Sequence, residues 1–382
     1  MGDKRAIVSV TNDLVTDQRV DRTCRTLVKM GYEVLLVGRK RRKSRPVPRR
    51  IYRTRRMILL FEKGPLFYAE YNLSLFLFLL FHRADLMVSN DLDTLPANHF
   101  ARKWLRIWRR DKGPKHLHDC HEYFRGVPEL VGRKHVTAIW KWLEDLTFPH
   151  LEKICAVNAS IAGIYEKEYC KTIGVIRNVP DRKTTGEPAD RSKLGIPPGR
   201  KIILYQGAVN IDRGLEEAID AMEFVKQEAL LLILGTGDIF EELKERVKRK
   251  GLEKMVLLTG AIPLEALHSY TLLGDIGLSI EKNVCLNYFY ALPNKFLDYI
   301  QANIPVLVSP FPEMKAIVEK YDIGAFISGH APRVLAATFD RMLEDPDQLL
   351  RYRKNSVAAA DELCWENEEP KLIKIISEFT GS

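Results

Sequence analysis

The sequence predicts an α/β protein made of two doubly wound parallel sheets. The chain has 382 residues, which is long for one domain and ample for two. Short apolar segments alternate with helical patterns nearly throughout. The apolar segments are continuous, as in parallel strands that helices cover on both faces. A polar stretch rich in proline and glycine, Asp181 to Arg200, interrupts the alternation and predicts a linker between the halves.

Ten strands are predicted, five in each half. In the first half they are RAIVSVT, EVLLVG, ADLMVS, KHLHD and KICAVN, and in the second KIILYQG, ALLLILG, KMVLLTG, DIGLSI and IPVLVS. The helix after KIILYQG is amphipathic, with Leu215, Ala218, Ile219 and Met222 on one face. The predicted domains are residues 1–182 and 183–365, and a final helix over 366–382 is expected to pack back on the first domain. Ligands of such sheets bind beyond the carboxyl ends of the strands, here in a cleft between the two facing domains.

The positive charge of the chain is a local feature. The formal net charge is +9, from 59 basic and 50 acidic residues. The segment Arg39 to Arg56 holds 11 basic residues and no acid, so the remainder has 59 − 11 = 48 basic against 50 acidic residues, a net of −2. This segment is either a solvated loop or a surface for an anionic partner.

Cysteine usage and the N-terminal sequence predict a cytoplasmic protein. The six cysteines are scattered and lack metal-ligand spacing, as is typical of free thiols in a reducing compartment. The start, MGDKRAIVSV, leads into a strand and does not resemble a signal peptide. The longest apolar run, LFLFLLF, is shorter than the roughly 20 residues that span a bilayer, and a buried helix is expected there.

Two stretches of the second half place cations where helices begin. Gly207 follows a strand, and Arg213 lies just before the next helix, where a cation is unfavourable unless an anion is near. Lys295 lies near the start of the helix after Pro293, with Asp298 one turn further along. A cation that can bind a phosphate, close to a carboxylate that can bind the ribose hydroxyls, predicts a nucleotide site. A solvated arginine and a Lys–Asp surface pair are the alternatives.

An ordered set of motifs resembles glycosyltransferase family 4, whose members are retaining transferases with two Rossmann-like domains, the GT-B fold. The set covers most of the chain, in family order: SVTNDLVTDQRVDRTCRTLVKMGYEVLLVGR, HDCHEYF, YQGAVNIDRGLEEAIDAM, LILGTGD, LTGAIPLEAL and PNKFLDYIQANIPVLVS. The resemblance implies an enzyme that transfers a sugar from a nucleotide-sugar donor to a glycan or to a lipid-linked glycan.

The resemblance assigns the donor site to the second domain. Arg213 and Lys295 are expected to hold the donor diphosphate, and Gly207 to give the backbone close approach to it. Asp298 matches the second acid of the family's paired-acid motif, which holds the ribose. Tyr290 stands where the family has the first acid of this motif. Ala208 stands where the family often has a second cation, just after the glycine.

Further residues are assigned to the donor and the acceptor. Gly235 and Gly237, in a turn, and Asn294 are expected to line the donor site. His121 and Glu122 match the family's first-domain histidine and its neighbour, and the histidine could bond a donor hydroxyl or the acceptor. Asp17 and Arg19 are expected on the acceptor side. A structural histidine at 121 and a structural ion pair at Arg19 are the alternatives.

No metal or cofactor is expected. Asp91 and Asp93 have the spacing of the metal motif of another glycosyltransferase fold, but the two predicted domains argue against it and helix capping is expected instead. Gly235-Thr236-Gly237 lacks the third glycine of a dinucleotide fingerprint. The resemblance implies that the acceptor attacks the anomeric carbon on the same face that the diphosphate leaves. The departing diphosphate takes the acceptor's proton, and Arg213 and Lys295 stabilise the charge of the diphosphate.

Two other functions remain possible from the sequence. One is a nucleotide-sugar epimerase of the same architecture, which would need no acceptor. The other is a nucleic-acid-binding protein that uses the basic segment Arg39 to Arg56, which holds only one aromatic residue, Tyr52, for base stacking; nucleic acid is therefore not the expected partner. The basic segment is expected to attach the protein peripherally to an anionic membrane on its inner face.

Overall fold

The chain folds into two compact units. The computed structural model describes residues 4–109, 113–183 and 186–381. The first unit consists of Met1–Asn178 together with Asn367–Ser382, and the second of Val179–Glu366.

In the described part of the first unit, seven parallel strands form one sheet in the order β3-β2-β1-β4-β5-β6-β7. The strands are β1 Lys4–Ser9, β2 Tyr32–Lys40, β3 Arg53–Ile58, β4 Leu86–Asn90, β5 Lys115–Cys120, β6 Lys153–Ala156 and β7 Gly174–Val175. The order reverses between β1 and β4, which is the topological switch point of a doubly wound sheet.

The second unit repeats this design. Six parallel strands of its described residues pair in the order β10-β9-β8-β11-β12-β13, with the switch point between β8 and β11. The strands are β8 Lys201–Gln206, β9 Ala229–Leu234, β10 Val256–Gly260, β11 Ile276–Ser279, β12 Val306–Val308 and β13 Gly324–Phe326. Apolar clusters cover both faces of this sheet, which explains why its central strands are apolar throughout.

Helices connect the strands. They are α1 Gln18–Lys29, α2 Gly64–Phe81, α3 Leu95–Arg109, α4 Lys134–Thr147, α5 Ala159–Tyr169, α6 Leu215–Ala221, α7 Phe240–Lys250, α8 Leu264–Thr271, α9 Leu286–Phe289, α10 Asn294–Gln301, α11 Pro312–Tyr321, α12 Pro332–Leu343, α13 Pro346–Glu362 and α14 Trp365–Thr380.

The predicted strands and the predicted helix face are confirmed. Each of the ten apolar segments forms a strand, and the four apolar residues predicted to share a face of α6 are fully buried. The sequence did not predict β3, β7 and β13. Each of these strands lies at an edge of its sheet, where one side of the backbone is unpaired and the side chains are less buried.

The C-terminal helix α14 packs within the first unit. Thr26 Oγ1 and Lys29 Nζ of α1 each donate to Glu369 Oε1, at 2.8 and 2.9 Å. Glu368 Oε2 accepts from the backbone N–H of Arg177 at 3.1 Å. The chain therefore returns to the first unit after completing the second.

Helix α2 departs from the expectation of a buried helix. Phe67, Tyr71, Leu75 and Leu79 are buried, while the opposite face carries exposed leucine and phenylalanine side chains. Among the described residues, α2 is the one helix whose length and composition alone would allow it to cross a membrane.

Candidate functional site

The loop after β8 lies at the switch point of the second unit. Gly207 follows the last residue of the strand and has a φ of 122°, a backbone conformation that side chains with a Cβ atom rarely adopt. A Cβ atom on Gly207 would meet open space, so packing does not explain the glycine there. The backbone at this point is accessible to a ligand.

Arg213 lies at the end of the same loop, two residues before α6. Its Nη1 donates to Glu281 Oε1 at 3.4 Å, and its guanidinium stacks 4.3 Å from the ring centroid of Tyr288. The Nε of Arg213 is buried and has no hydrogen-bond partner among the residues that the structure describes. The arginine is therefore held in place and retains donors that the protein does not use.

Lys295, the second residue of α10, binds the same carboxylate oxygen of Glu281. Both side chains are buried. Burial holds the pKa of Lys295 below its ordinary value, although Glu281 acts in the opposite direction. Burial alone would raise the pKa of Glu281, but Lys295 and Arg213 outweigh it and lower that pKa. The carboxylate is thus charged and shared by two cations.

Glu281 also has a second set of contacts that fixes its position. Its Oε2 accepts from Ser279 Oγ at 3.0 Å, and its backbone carbonyl accepts from Ser309 Oγ at 2.6 Å. Glu281 follows β11 by two residues, so it stands directly across the switch point from the loop of Arg213. Two cations against one carboxylate leave this cluster positively charged.

Asp298, one turn after Lys295 on α10, joins the same edge of the sheet. Gln206 Nε2 donates to its Oδ2 at 2.9 Å, and Gln206 Oε1 accepts from Thr271 Oγ1 at 2.7 Å. Gln206 immediately precedes Gly207, so this carboxylate lies near the loop of Gly207. Its half-buried position leaves part of the side chain accessible.

The other residues assigned to the donor site differ in their surroundings. A Cβ atom on Gly235 would lie 1.9 Å from the carbonyl oxygen of Gly207, so Gly235 allows the loops after β8 and β9 to pack together. Gly237 is similarly close to the carbonyl of Val209. Asn294, the first residue of α10, is exposed, and Tyr290 is half-buried with its ring against Phe289.

A second charged cluster lies at the switch point of the first unit. His121 follows β5, with its Nε2 2.9 Å from Asn90 Oδ1 and 3.3 Å from Asp119 Oδ2, and its Nδ1 3.6 Å from Asp91 Oδ2. Burial alone would lower the pKa of His121, but Asp91 and Asp119 outweigh it and raise the pKa to about 9. The ring is therefore an imidazolium at neutral pH and acts as a donor.

Arg19 is part of this cluster and is fully engaged. Its Nε and Nη2 donate to the two oxygens of Asp119, at 3.0 and 2.6 Å, and its Nη1 donates to the carbonyl of Ile176 at 2.7 Å. The side chain is buried. The structure thus favours the structural ion pair over a contact between Arg19 and an acceptor.

The remaining first-unit candidates have different positions. Asp17 caps the N-terminus of α1, with its Oδ1 accepting from the backbone N–H of Val20 at 3.0 Å, and its Oδ2 accepts from Asn12 Nδ2 at 2.7 Å. Glu122, next to His121, is half-buried.

The expected capping role of Asp91 and Asp93 is wrong. Asp91 Oδ1 accepts from the backbone N–H of His121 at 2.8 Å, and Asp93 Oδ2 accepts from Thr11 Oγ1 at 2.6 Å. The carboxylates are therefore used across the switch point rather than on α3. In residues 4–109, 113–183 and 186–381, no cluster of three or more His, Cys, Asp or Glu side chains is arranged to hold a metal ion.

Sequence reasoning missed Glu281 and Tyr288. The signal for Glu281 was available, since an acid just after a buried strand at a switch point belongs to the ligand-binding edge. Tyr288, whose ring supports Arg213, had no comparable signal, because a tyrosine in a short helix is ordinary.

Residues 186–358 match the family model described as glycosyl transferases group 1. The second unit is therefore similar to this family over most of its length. The matched residues include both cations and the carboxylate of the second-unit cluster. The match agrees with the predicted enzyme class, glycosyltransferase, while membership of family 4 in particular stays a prediction.

Solved glycosyltransferase structures share the fold of the whole chain. A sucrose-phosphate synthase from Thermosynechococcus elongatus has a TM-score of 0.79 at 18% identity, covering 99% of this chain and 100% of that one. HepE of Anabaena in complex with UDP-glucose has a TM-score of 0.73 at 13% identity, covering 98% of this chain and 99% of that one. The predicted GT-B fold class is confirmed.

Curated relatives match over part of their length. The D-inositol 3-phosphate glycosyltransferase of Xylanimonas cellulosilytica (strain DSM 15894) is 20% identical over 200 residues, which is 51% of this chain and 46% of the relative. The chain spans about a third to a half of the length of the curated relatives it matches.

Proposed function

We propose that the protein is a retaining glycosyltransferase that moves a sugar from a nucleotide-sugar donor to a glycan, free or linked to a lipid. The observation that carries the proposal is the cluster in which Arg213 and Lys295 share the buried carboxylate of Glu281. It lies at the switch point of the second unit, within the residues that match the family model of glycosyl transferases group 1. The fold shared with HepE, whose structure holds UDP-glucose, supports a nucleotide-sugar donor.

The charge of the cluster suits a diphosphate. Two cations, the buried Lys295 and the half-buried Arg213, against one carboxylate attract a further anion, and the guanidinium of Arg213 can donate to it. Gly207 leaves room for oxygen atoms to approach its backbone. In the proposed complex, Glu281 keeps both cations charged and positioned before the donor arrives.

Asp298 is proposed to bind the ribose. Its Oδ2 accepts from Gln206 Nε2, which holds the carboxylate beside the loop of Gly207. Asn294, Gly235 and Gly237 are proposed to complete the donor site. The two glycines let the loops after β8 and β9 pack closely, so their proposed contribution is to the shape of the site and to backbone contacts.

The proposed reaction needs no protein nucleophile. The bond between the anomeric carbon and the diphosphate oxygen breaks, and the acceptor oxygen bonds that carbon on the same face. The proton of the acceptor hydroxyl passes to the departing diphosphate, whose charge Arg213 and Lys295 stabilise. His121 is proposed to donate a hydrogen bond to a substrate hydroxyl, since its raised pKa makes it unsuitable as a base.

The reaction is proposed to be independent of metal ions, because the two cations supply the charge that a metal would otherwise bring. The acceptor side is proposed to lie in the first unit, in a protein that works at the cytoplasmic face of a membrane. Nucleic acid is not proposed as a partner.

A donor panel tests the proposal. UDP-, GDP- and ADP-sugars are incubated with the protein, and the release of nucleoside diphosphate is measured with and without EDTA. We expect one donor to be turned over, equally in both conditions, with the product retaining the anomeric configuration by proton NMR. An inverted product contradicts the retaining assignment, and conversion of the donor to an isomeric nucleotide sugar without acceptor would favour the epimerase.

A further inference from the structure

Helix α2 presents apolar side chains on two opposite faces. Its inner face packs into the first unit through residues such as Tyr71, which is fully buried and donates from Oη to the carbonyl of Val10 at 2.5 Å. Its outer face carries Leu66, Leu73, Leu77 and Phe81, which are exposed by 59, 61, 46 and 83%. The anchored inner face prevents α2 from crossing a bilayer, so the outer face needs another explanation.

Helix α3 extends the apolar surface. Ala97, Ala101 and Leu105 belong to the buried cluster under α2, while Trp104 and Trp108, one turn apart, are exposed near the C-terminal end of α3. These two tryptophans are 56 and 71% exposed. Exposed large aromatic side chains in a row are unusual on a surface that only faces water.

The edge strand β3 joins this surface to the basic segment. A groove of about 440 Å³ lies between β3 and α2, with Leu77, Phe78 and Phe81 on one wall and Arg55 and Arg56 on the other. The guanidinium of Arg55 lies 5.3 Å from the ring centroid of Phe78. Basic and apolar side chains thus share one surface.

The charge of this surface has one sign. The sequences of β3 and α3 contain basic residues and no acid, and exposed Lys103 and Arg106 alternate with the tryptophans. The one acid of α2, Glu70, accepts from the backbone N–H groups of Leu60 and Phe61. A second copy of the chain would bring like charges together across an apolar contact, whereas anionic lipid is complementary in both respects.

We propose that this surface, formed by β3 and the outer faces of α2 and α3, lies on an anionic lipid bilayer. The tryptophans and leucines enter the region between headgroups and acyl chains, and the arginines and lysines bind lipid phosphates. The inference stands whether or not the proposed reaction is correct, because it rests on the first unit alone.

The structure indicates which basic residues are available to bind lipid phosphates. Arg39 donates to the carbonyl of Glu62 and stacks over Phe67, and Arg50 binds Asp21. These two arginines are occupied within the protein. Arg55, Lys103 and Arg106 are exposed beside the apolar side chains and are the better candidates.

Sedimentation with vesicles tests the proposal on the full chain. Phosphatidylcholine vesicles with and without phosphatidylglycerol are compared at low and high salt. We expect binding that needs phosphatidylglycerol and weakens with salt. The double variant Trp104→Ser/Trp108→Ser should bind roughly tenfold more weakly for each side chain removed. The triple variant Arg55→Gln/Lys103→Gln/Arg106→Gln should lose roughly fivefold for each charge.

Matched controls lie on the second unit. Leu350→Ser/Val357→Ser removes two side chains that are 50 and 51% exposed, and Lys248→Gln/Arg249→Gln removes two exposed cations. Both controls should sediment like the native protein, and all variants should keep its thermal unfolding temperature. The proposal is overturned if the native protein stays in the supernatant with anionic vesicles. It is equally overturned if gel filtration shows a dimer that the tryptophan variant dissociates while vesicles bind neither form.

Discussion

The two units carry a charged cluster at the same topological position, but the charges balance only in the first, where Arg19 and His121 face two carboxylates. In the second unit, two cations, Arg213 and Lys295, share one carboxylate. In the first unit, two carboxylates, Asp91 and Asp119, flank one imidazolium. Similar backbones therefore leave an excess of positive charge at one switch point and balance the charges at the other.

The difference lies in how the hydrogen-bond donors are used. All three guanidinium nitrogens of Arg19 in the first cluster have protein acceptors. In the second cluster, the Nε of Arg213 has no acceptor among the described residues. Because the cations of the second cluster outnumber its carboxylates, we expect it to gain more stability from an added anion than the first cluster does.

The largest expected effect comes from removing the shared carboxylate. Glu281→Ala leaves the buried Lys295 facing the half-buried Arg213 without a carboxylate between them, which should lower the free energy of unfolding by about 3–5 kcal/mol. Thermal unfolding measures the loss, and inorganic pyrophosphate should restore more stability to the variant than to the native protein. The control is Glu245→Ala on α7, an exposed acid, which is expected to change neither value. A variant that pyrophosphate does not stabilise would contradict an anion site at this cluster.

Removing either cation should abolish most of the activity. Arg213→Ala and Lys295→Ala should each reduce turnover by about two to three decades, because the leaving diphosphate loses a charge-assisted contact. Affinity for the nucleoside diphosphate should fall as well, measured by calorimetry. Arg246→Ala, which breaks a pair with Asp220 in the same unit, is the matched control and should bind normally. Near-native turnover in both variants would refute the assignment.

The charges of the first cluster should make the free energy of unfolding depend on pH. Because the pKa of His121 is raised to about 9, the folded state retains a proton that the unfolded chain releases near pH 6.5. This stabilisation is complete below pH 6.5 and is lost as the pH rises to 9, by about 3 kcal/mol at most. Urea unfolding across this range measures it.

Two variants separate the groups of this cluster. His121→Gln should remove the loss of stability between pH 6.5 and 9. Burial, together with Asp91, raises the pKa of Asp93 to about 7, so its contribution is lost as the pH rises from about 4 to 7. Asp93→Asn should remove only that lower part. A native protein equally stable at pH 6.5 and 9 would show that the carboxylates do not hold His121 charged.

The smallest effect is expected at the edge of the second cluster. Asp298→Asn should weaken nucleoside diphosphate binding by about tenfold, because one charged hydrogen bond to a ribose hydroxyl is replaced by a neutral one. Pyrophosphate, which lacks the ribose, should bind the variant and the native protein alike. Equal losses for both ligands would place Asp298 with the phosphate contacts instead.

The sequence alone was sufficient for the fold class and for the inner strands of both sheets. Hydrophobic burial on both faces of a parallel sheet leaves continuous apolar segments in the chain, so ten strands and the amphipathic face of α6 could be predicted. It was insufficient for β3, β7 and β13, because an edge strand has only one neighbour and its side chains need not be apolar. In β3, the arginines leave no apolar segment from which a strand could be predicted.

The outer face of α2 was decided by the tertiary structure. A helix that is apolar all round has no periodicity to indicate which side faces the core. The sequence therefore suggested a buried helix, while the packing of Tyr71 and its neighbours on the first sheet leaves the opposite leucines exposed.

Within the second cluster, too, the sequence predicted some residues and only the tertiary structure identified others. The sequence indicated Arg213 and Lys295, because a cation at the start of a helix opposes the helix dipole and needs an anion nearby. It did not indicate that Glu281 is that anion, separated from the two by 68 and 14 positions. Helix dipoles act locally and are encoded in neighbouring residues, but a shared carboxylate depends on where the sheet brings distant segments together, and only the tertiary structure determines that.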